Sequence, residues 1–523
     1  MNASRGSGRV PPVAGMPALA LVPVGLAALV YHPILGNYFY ADDFFNLFEI
    51  ANKSALEFLL TPSGGHVLLA RNALFYLSSR LSGTEPAYYF WTVLLTHLAN
   101  VWLVDRLLRM LTGSARIACF GAALWGVCPL DAGALTWYSV YGHVVATFGI
   151  LAALCLMGSP IARGEEPSWA ARGAAFALAL IAATSFGFGT GAATMLPVLL
   201  WLLFPAVARN SRRRLPPLSS LLVVVPIVYF GLVRLYCALY GKDLDLSAWV
   251  GNQVASQGTA IAVAFLRCAA FGASRLVFGL LVSPAAEPVW VAYPVAGLLL
   301  VAVALAAFGG SRLERRRIAA GALLALTCYG IVAVGRTQYL VAFNAEMLTG
   351  LARYHYLGLV GFVMLISAVV QRVSAKMRPN PRVADALLAS WVVLNLAAYA
   401  VSPFPLDRQD QARRQTESTL SALRAEIASG VPGGQVRIRN RNFPALPAIA
   451  VPYTLFPGWA AVFVAFFPEN TVDGRRVYFI QRNPAVIEAL RDGRRTRDLF
   501  VPAEPSPAQP GNSKVQIPNS KPE

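Results

Sequence analysis

Residues 17–45 read PALALVPVGLAALVYHPILGNYFYADDFF. The run from Pro17 to Leu35 contains no Lys, Arg, Asp or Glu and, as a helix, is long enough to cross ~30 Å of hydrocarbon. Arg5 and Arg9 precede it, as they would in a secretory signal, but such a signal ends on small residues at its cleavage site. This run leaves through Tyr31, His32 and Pro33 into an aromatic segment, so it reads as an uncleaved span. The chain then presents an acidic pair, Asp42 and Asp43, between Tyr38, Phe39, Tyr40 and Phe44, Phe45.

Further apolar runs of spanning length follow at 86–105, 117–130, 142–158, 169–186, 190–208, 218–240, 289–308, 318–335, 354–371 and 384–402, making eleven with the first. The composition agrees: 56% of the 523 residues are hydrophobic and 13% charged, against about 25% charged in a soluble domain. The expected fold is therefore an all-α polytopic membrane protein of about eleven transmembrane helices, and intrinsic disorder or a single soluble core is excluded.

One apolar region, Thr259 to Ser283, is set apart because Arg267 and Arg275 sit inside it and a mid-bilayer Arg is costly. Counting it as a span would also place the cluster Arg312, Arg315, Arg316 and Arg317 outside, against the positive-inside rule. It reads as an in-plane or re-entrant helix at 259–283 on the outer face. The amino terminus is then cytoplasmic, and the short basic loops share one side: Arg106/Arg109/Arg116, Arg163/Arg172, Arg209/Arg212/Arg213/Arg214, 312–317 and Arg372/Lys376/Arg378/Arg382. Most of the net charge of +18 thus orients the chain in a membrane, and no nucleic-acid partner is implied.

Two outer segments are longer than connections need to be. The first outer loop, 36–85, has apolar residues at helical spacing and reads as helices lying on the membrane surface. From about Pro403 the composition turns polar: a helix is expected over Asp407–Ser429, strands at 435–439 and 476–481, and helical candidates at 458–466 and 484–491. These suggest a small C-terminal α/β soluble domain over 403–500, followed by a Pro-, Ser- and Asn-rich disordered tail at 501–523. The membrane part occupies 1–402. The six cysteines lie in apolar stretches without metal-ligand or disulfide spacing and read as small buried hydrophobes.

Asp42 and Asp43 are the sharpest chemical feature. Adjacent carboxylates at an aromatic boundary repel one another and lose water, which raises their pKa values toward those of a general base. The alternative is that Asp42 caps the helix beginning beside it. On residue type alone, Arg353 and Tyr354, in ARYHY at the outer boundary of a span, read as a belt anchor, Arg71 as a snorkelling side chain, and His66, His143 and His355 as hydrogen-bonded structural groups. Asp131, between two spans at the outer boundary, faces a cavity or pairs with a cation. The turn SFGFGTGAAT at 185–194 lacks the preceding strand of a nucleotide loop and reads as close helix packing.

Four strings, taken in order, resemble the GT-C superfamily of integral-membrane glycosyltransferases, in particular protein O-mannosyltransferases and bacterial relatives. They are YADDFF at 40–45, GGHVLLARNALFYLSSRLSGTEPAYYFWTVLLTHLAN at 64–100, ALWGVCPLDAGALTWYSVYGH at 123–143 and GLARYHYLGLVGF at 350–362. The resemblance covers the membrane part. It implies a polyprenyl-phosphate sugar as donor, a glycan, lipid or protein acceptor, and inverting transfer with Asp42 or Asp43 as the base. It further implies phosphate or substrate contacts from Arg353, Tyr354, Arg71, His66, His143 and His355, and Asp131 in positioning. No cofactor is assigned, and a divalent metal is left open. The Arg-rich composition fits a bacterial inner membrane with the C-terminal domain in the periplasm. The competing readings are a flippase for a lipid-linked glycan, which would place its charges nearer the midplane, and a non-enzymatic membrane scaffold.

Overall fold

The computed structural model describes residues 17–63, 66–204, 216–241, 246–278, 292–341, 351–377, 380–401, 408–428, 436–439, 463–467, 470–472, 475–481 and 500–502. Two compact units make up the chain, one of residues 1–46 with 54–413, the other of 47–53 with 414–523.

The first unit is helical. After α1 (Pro17–Tyr31) come α2 (Asp42–Asn52), α3 (Ala55–Leu60), a two-residue hairpin of β1 (Pro62–Ser63) and β2 (His66–Val67), and α4 (Leu69–Ser82). Helices therefore occupy the segment 36–85, where the sequence predicts helical spacing. The long elements are α5 (Pro86–Thr112), α6 (Ala115–Gly126), the single turn α7 (Ala132–Leu135), α8 (Gly142–Ala162), α9 (Trp169–Ala183) and α10 (Gly187–Leu203). They continue as α11 (Leu221–Tyr240), α12 (Leu246–Val277), α13 (Ala292–Phe308), α14 (Arg312–Val341), α15 (Tyr356–Met377) and α16 (Pro381–Val401).

Local chemistry sets several ends. Pro86 opens α5, and Gly113 closes it at φ 69° with its N–H on the Arg109 carbonyl. Ser114 and Ser168 cap α6 and α9 by accepting from Ile117 N and Ala171 N. Along α5, Val93, Leu94, His97, Asn100, Val101, Val104, Leu107, Leu108 and Leu111 recur on one buried stripe, while Trp91, Leu95 and Trp102 are exposed on other faces. Apolar side chains on both the packed and the outward faces are what a helix between protein and lipid carries.

Among the described residues, seven helices are long and apolar enough to cross a membrane, or eight if Ala115–Gly126 and Pro129–Leu135, bent by 46°, form one span. The helices at 169–183, 187–203 and 292–308 are apolar but shorter, below the ~20 residues a straight crossing uses. This is a helical multi-pass protein whose long apolar helices, among the described residues, number fewer than the eleven apolar runs.

The region set apart at 259–283 lies largely within α12, whose residues Val254–Val277 meet the length and apolarity of a crossing. The objection from Arg275 is met by packing: its side chain is fully buried in protein, away from the hydrocarbon that makes such a charge costly. The carboxyl end of α12 stops part way along its neighbours. Val277 O accepts from Trp391 Nε1 at 2.8 Å, and Trp391 lies mid-way along α16, its ring 5.3 Å from Phe120 in the middle of α6.

In the second unit, helix α17 (Arg408–Ala428), entered from the first unit, contributes Leu423 and Ile427 to a small core with Phe463, Val464, Phe467, Val472 and Val477. Strands β3 (Val436–Arg439), β5 (Arg475–Gln481) and β6 (Phe500–Pro502) pair in parallel with β5 central, and β4 (Thr471–Val472) adds antiparallel to β5. Strands β3 and β5 fall where the sequence predicts them. The boundary of the tail is corrected: Val501 and Pro502 pair with Ile480 and Gln481 instead of starting a disordered end. Residues 503–523 and the helical candidate at 484–491 lie outside the described residues, as does 458–462 of the candidate at 458–466.

Candidate active site

The amino end of α2 separates the two aspartates. Asp43 is fully buried. Its Oδ2 accepts from Tyr40 N at 3.0 Å, and its Oδ1 accepts from Ser139 N at 2.6 Å and from Ser139 Oγ. Burial pushes its carboxyl up to about 7, while the hydrogen bonds from Ser139 and Tyr40 pull the other way and Asp42 adds a small upward push. Asp43 therefore ties the segment after α1 to the loop after α7.

Asp42 is only partly buried. Among the described residues no hydrogen bond reaches its carboxylate; Asn46 Nδ2 donates to its backbone carbonyl at 2.6 Å, one helical turn on. Partial burial raises its pKa, opposed in order by the charges of Arg71, Arg353 and Arg336. One open carboxylate thus sits in the field of three guanidiniums. Ala41, just before it, has φ 45°, a left-handed conformation costing a non-glycine residue about 1–2 kcal/mol. Such strain persists where the surroundings hold a residue in place.

Arg71 is not a snorkelling surface residue. It is buried, with Nε donating to Ser139 O at 3.0 Å and Nη1 to Asn46 Oδ1 at 2.8 Å and Asn72 Oδ1 at 2.7 Å. Burial lowers its pKa to about 10, against the upward pull of Asp42 and Asp43. Asn72 in turn donates to the carbonyls of Phe58, Leu59 and Thr61, holding the loop against α4. Arg71 is accordingly a fixed counter-charge behind the acidic pair.

Arg353 and Tyr354 lie across from it in the 3-10 turn Ala352–His355. The Arg353 guanidinium stacks 5.1 Å from the Trp137 ring and 4.7 Å from that of Tyr354, and Trp137 Nε1 donates to Tyr40 O at 3.0 Å. Arg336 Nε donates to Tyr354 Oη at 2.7 Å. Two glycines allow these loops to meet. A Cβ on Gly133 would lie 2.6 Å from Arg353 N, and one on Gly142 would collide with the Ser185 carbonyl.

The histidines part company. His66 Nδ1 pairs with Tyr229 Oη at 2.6 Å, its ring against Gly187; burial first, and then the charge of Arg336, lower its pKa to about 4. His143 is buried beside Tyr354, its ring 3.8 Å from that of Phe186. His355 is directed elsewhere, onto Tyr329 Oη at 3.1 Å and Cys268 Sγ at 4.0 Å, so it contributes to helix packing and not to the set around Asp42. Asp131 is fully buried at the bend before α7, and among the described residues neither carboxylate oxygen has a hydrogen-bond partner or ion pair.

The sequence reading missed Arg336, Ser139, Asn46, Asn72, Trp137 and Tyr229. Asn46 was detectable as the residue one helical turn after Asp42. Arg336 was detectable as the charge ending the apolar run 318–335, at the same boundary as Arg353. Ser139 and Tyr229 gave no local signal, since their roles exist only once distant loops meet.

Among the described residues no group of three or more His, Cys, Asp and Glu is placed to hold a metal ion. The arrangement offers a proton acceptor, Asp42, in the field of guanidiniums suited to an anionic group, two of them held on aromatic side chains. No family model, no curated protein and no solved structure matches the chain.

Proposed function

We propose that the protein is a GT-C-type glycosyltransferase that moves a sugar from a polyprenyl-phosphate carrier to a hydroxyl acceptor on the outer face of a bacterial inner membrane. One observation carries the reading: a single accessible carboxylate, Asp42, stands among Arg71, Arg353 and Arg336 while its neighbour Asp43 is saturated. An anionic leaving group needs cations, not a strong acid, and an acceptor hydroxyl needs one base.

In the proposed reaction the acceptor O–H gives its proton to the Asp42 carboxylate as the acceptor oxygen bonds to the anomeric carbon. The bond from that carbon to the phosphate oxygen breaks on the opposite face, its electron pair passing to the phosphate, so the anomeric configuration inverts. Arg353 and Arg336 hold the phosphate, with Trp137 and Tyr354 fixing the Arg353 plane. Arg71 keeps the acidic end of α2 in place.

The proposed topology has eleven spans, a cytoplasmic amino terminus and a periplasmic α/β domain after about residue 403. In this topology α12 enters from the outer face and turns back. Its support is the carboxyl end of α12 meeting the middle of α16. Further support comes from arginines stacked on tryptophans in the basic, inner-side regions: Arg106 on Trp102, Arg172 on Trp169 and Arg316 on Trp201.

The test is transfer by the purified full chain in lipid nanodiscs, given radiolabelled polyprenyl-phosphate sugars and a membrane glycan extract. Loss of transfer in Asp42→Asn, with the fold intact by thermal unfolding, is the expected result. Undiminished transfer in that variant overturns Asp42 as the base, and movement of labelled donor across a bilayer without transfer overturns the transferase reading.

A further inference from the structure

His143 is the second residue of α8, fully buried, and among the described residues neither of its ring nitrogens has a hydrogen-bond partner. Its ring is packed by Phe186 at 3.8 Å, Phe188 at 4.9 Å and Tyr354, edge-on, at 5.4 Å. A buried imidazole with both nitrogens unmet is rare, because each unmet polar atom keeps its full desolvation cost. A ligand that arrives only during function is one explanation for such a group.

The chemistry around the ring narrows that ligand. A neutral imidazole offers one donor and one acceptor, a combination that a hydroxyl matches, since it both accepts and donates. An anion could use only the donor and a cation only the acceptor. Aromatic faces are apolar platforms for the C–H face of a sugar ring. Arg353 and Arg336 lie within electrostatic reach of His143, and Arg336 donates to the same Tyr354 whose ring edge meets the imidazole. A hydroxylated ring carried next to a phosphate would fit both groups of residues.

Access comes from Phe186. It is the most exposed of these rings, half-buried where Phe188 and Tyr354 are buried. It stands at the residue before α10, ahead of Gly187 and Gly189. The turn that the sequence marks only as close packing, SFGFGTGAAT, therefore forms the wall over the imidazole.

Building on the proposed transferase reading, we propose that His143 reads a hydroxyl of the carrier-borne sugar, in a subsite walled by Phe186, Phe188 and Tyr354, with Phe186 yielding to admit it. His143 is then a specificity-determining residue, acting on the sugar and not on the phosphate.

Binding, not turnover, tests this. The full chain in nanodiscs is titrated with polyprenyl phosphate bearing no sugar, with polyprenyl-phosphate glucose, and with its 2-, 3-, 4- and 6-deoxy forms. The wild type should bind the glucosyl form roughly tenfold more tightly than the bare phosphate, and one deoxy form should lose that gain. His143→Phe should bind bare phosphate as the wild type does, yet show no preference for the sugar and no response to the deoxy series. His143→Gln, which keeps a donor and an acceptor, should retain part of the preference, and it decides the matter if the Phe variant fails to fold.

The inference is overturned if either folded variant keeps the full sugar preference, or if bare-phosphate affinity falls equally. Sugar preference that depends on His143 without any transfer would leave the subsite standing and remove the transferase reading. Transfer with no dependence on His143 would do the reverse.

Discussion

On one side of the α2 amino end, the Asp43 carboxylate accepts three hydrogen bonds, and Arg71 behind it donates to Ser139, Asn46 and Asn72. On the other side, the Asp42 carboxylate accepts none among the described residues and faces Arg353 and Arg336, whose guanidiniums are held on aromatic side chains. Both sides use the same residue types a few ångströms apart. The difference lies in hydrogen bonding: a carboxylate with both oxygens engaged by backbone and hydroxyl donors holds loops together, and one left open can accept a proton from a ligand.

The strongest way to break this contrast is to exchange the two fates. Asp42→Asn should lower transfer by roughly 10²–10⁴-fold, the usual worth of a positioned base, with a thermal midpoint close to that of the wild type. Should Asp42→Asn retain activity while Asp43→Asn abolishes it in a folded protein, the assignment of roles is reversed. Next in size are the cations. Arg353→Ala and Arg336→Ala should each lower kcat/KM by about 10–100-fold, in line with the loss of a charge-assisted contact to phosphate. Neither should alter the unfolding midpoint as much as a change on the Asp43 side.

That side is tested by stability. Ser139→Ala removes the hydroxyl donor to Asp43 and leaves a buried carboxylate oxygen short of one partner, which should cost about 1–3 kcal/mol. Thermal unfolding in nanodiscs, read against Ser78→Ala, which removes a hydroxyl pair with Tyr138 Oη but none with a carboxylate, gives the difference. Activity at saturating donor should fall far less than in Asp42→Asn.

The two sides should also differ in their response to pH. In the folded protein Asp43 titrates at about 7, raised by burial from an ordinary 3.8. Between those values the folded state keeps a proton that the unfolded state has released, so this group's stabilisation is complete below 3.8 and is lost as pH rises through 7. The midpoint of the wild type should therefore drop from pH 4 to pH 8 more steeply than that of Asp43→Asn, which has no carboxyl to ionise at this position. An equal slope in both proteins would mean that Asp43 does not titrate in this window.

The sequence made the apolar helices legible, because runs such as Pro17–Leu35 declare themselves by length and lack of charge. It made the acidic pair and Arg353 legible as charges beside such runs. It did not reveal that Asp42 and Asp43 differ, since the distinction comes from Ser139, 96 positions beyond Asp43. Nor did it reveal the burial of Arg275, which made a mid-helix charge look like a lipid-facing cost. In the polar tail the strand-like runs of β3 and β5 were readable, whereas the start of the disordered end was placed inside β6. What stays hidden is consistently the partner contributed by a distant loop.

The smallest predicted effect concerns the residue that aims the open carboxylate. Ala41 holds φ 45°, and glycine takes that conformation without the clash between Cβ and the carbonyl. Ala41→Gly should relieve about 1–2 kcal/mol of strain and lose part of it, about 0.4–1 kcal/mol, to the greater freedom of glycine in the unfolded chain. The net change should be a gain of roughly 0.5–1 kcal/mol in unfolding free energy. If the strained turn serves to fix Asp42, the same substitution should lower transfer by a few fold, because a looser backbone holds the base less often in its reactive position. Stability and rate moving in opposite directions would mark Ala41 as part of the open side, and a gain in both would assign its strain to loop closure alone.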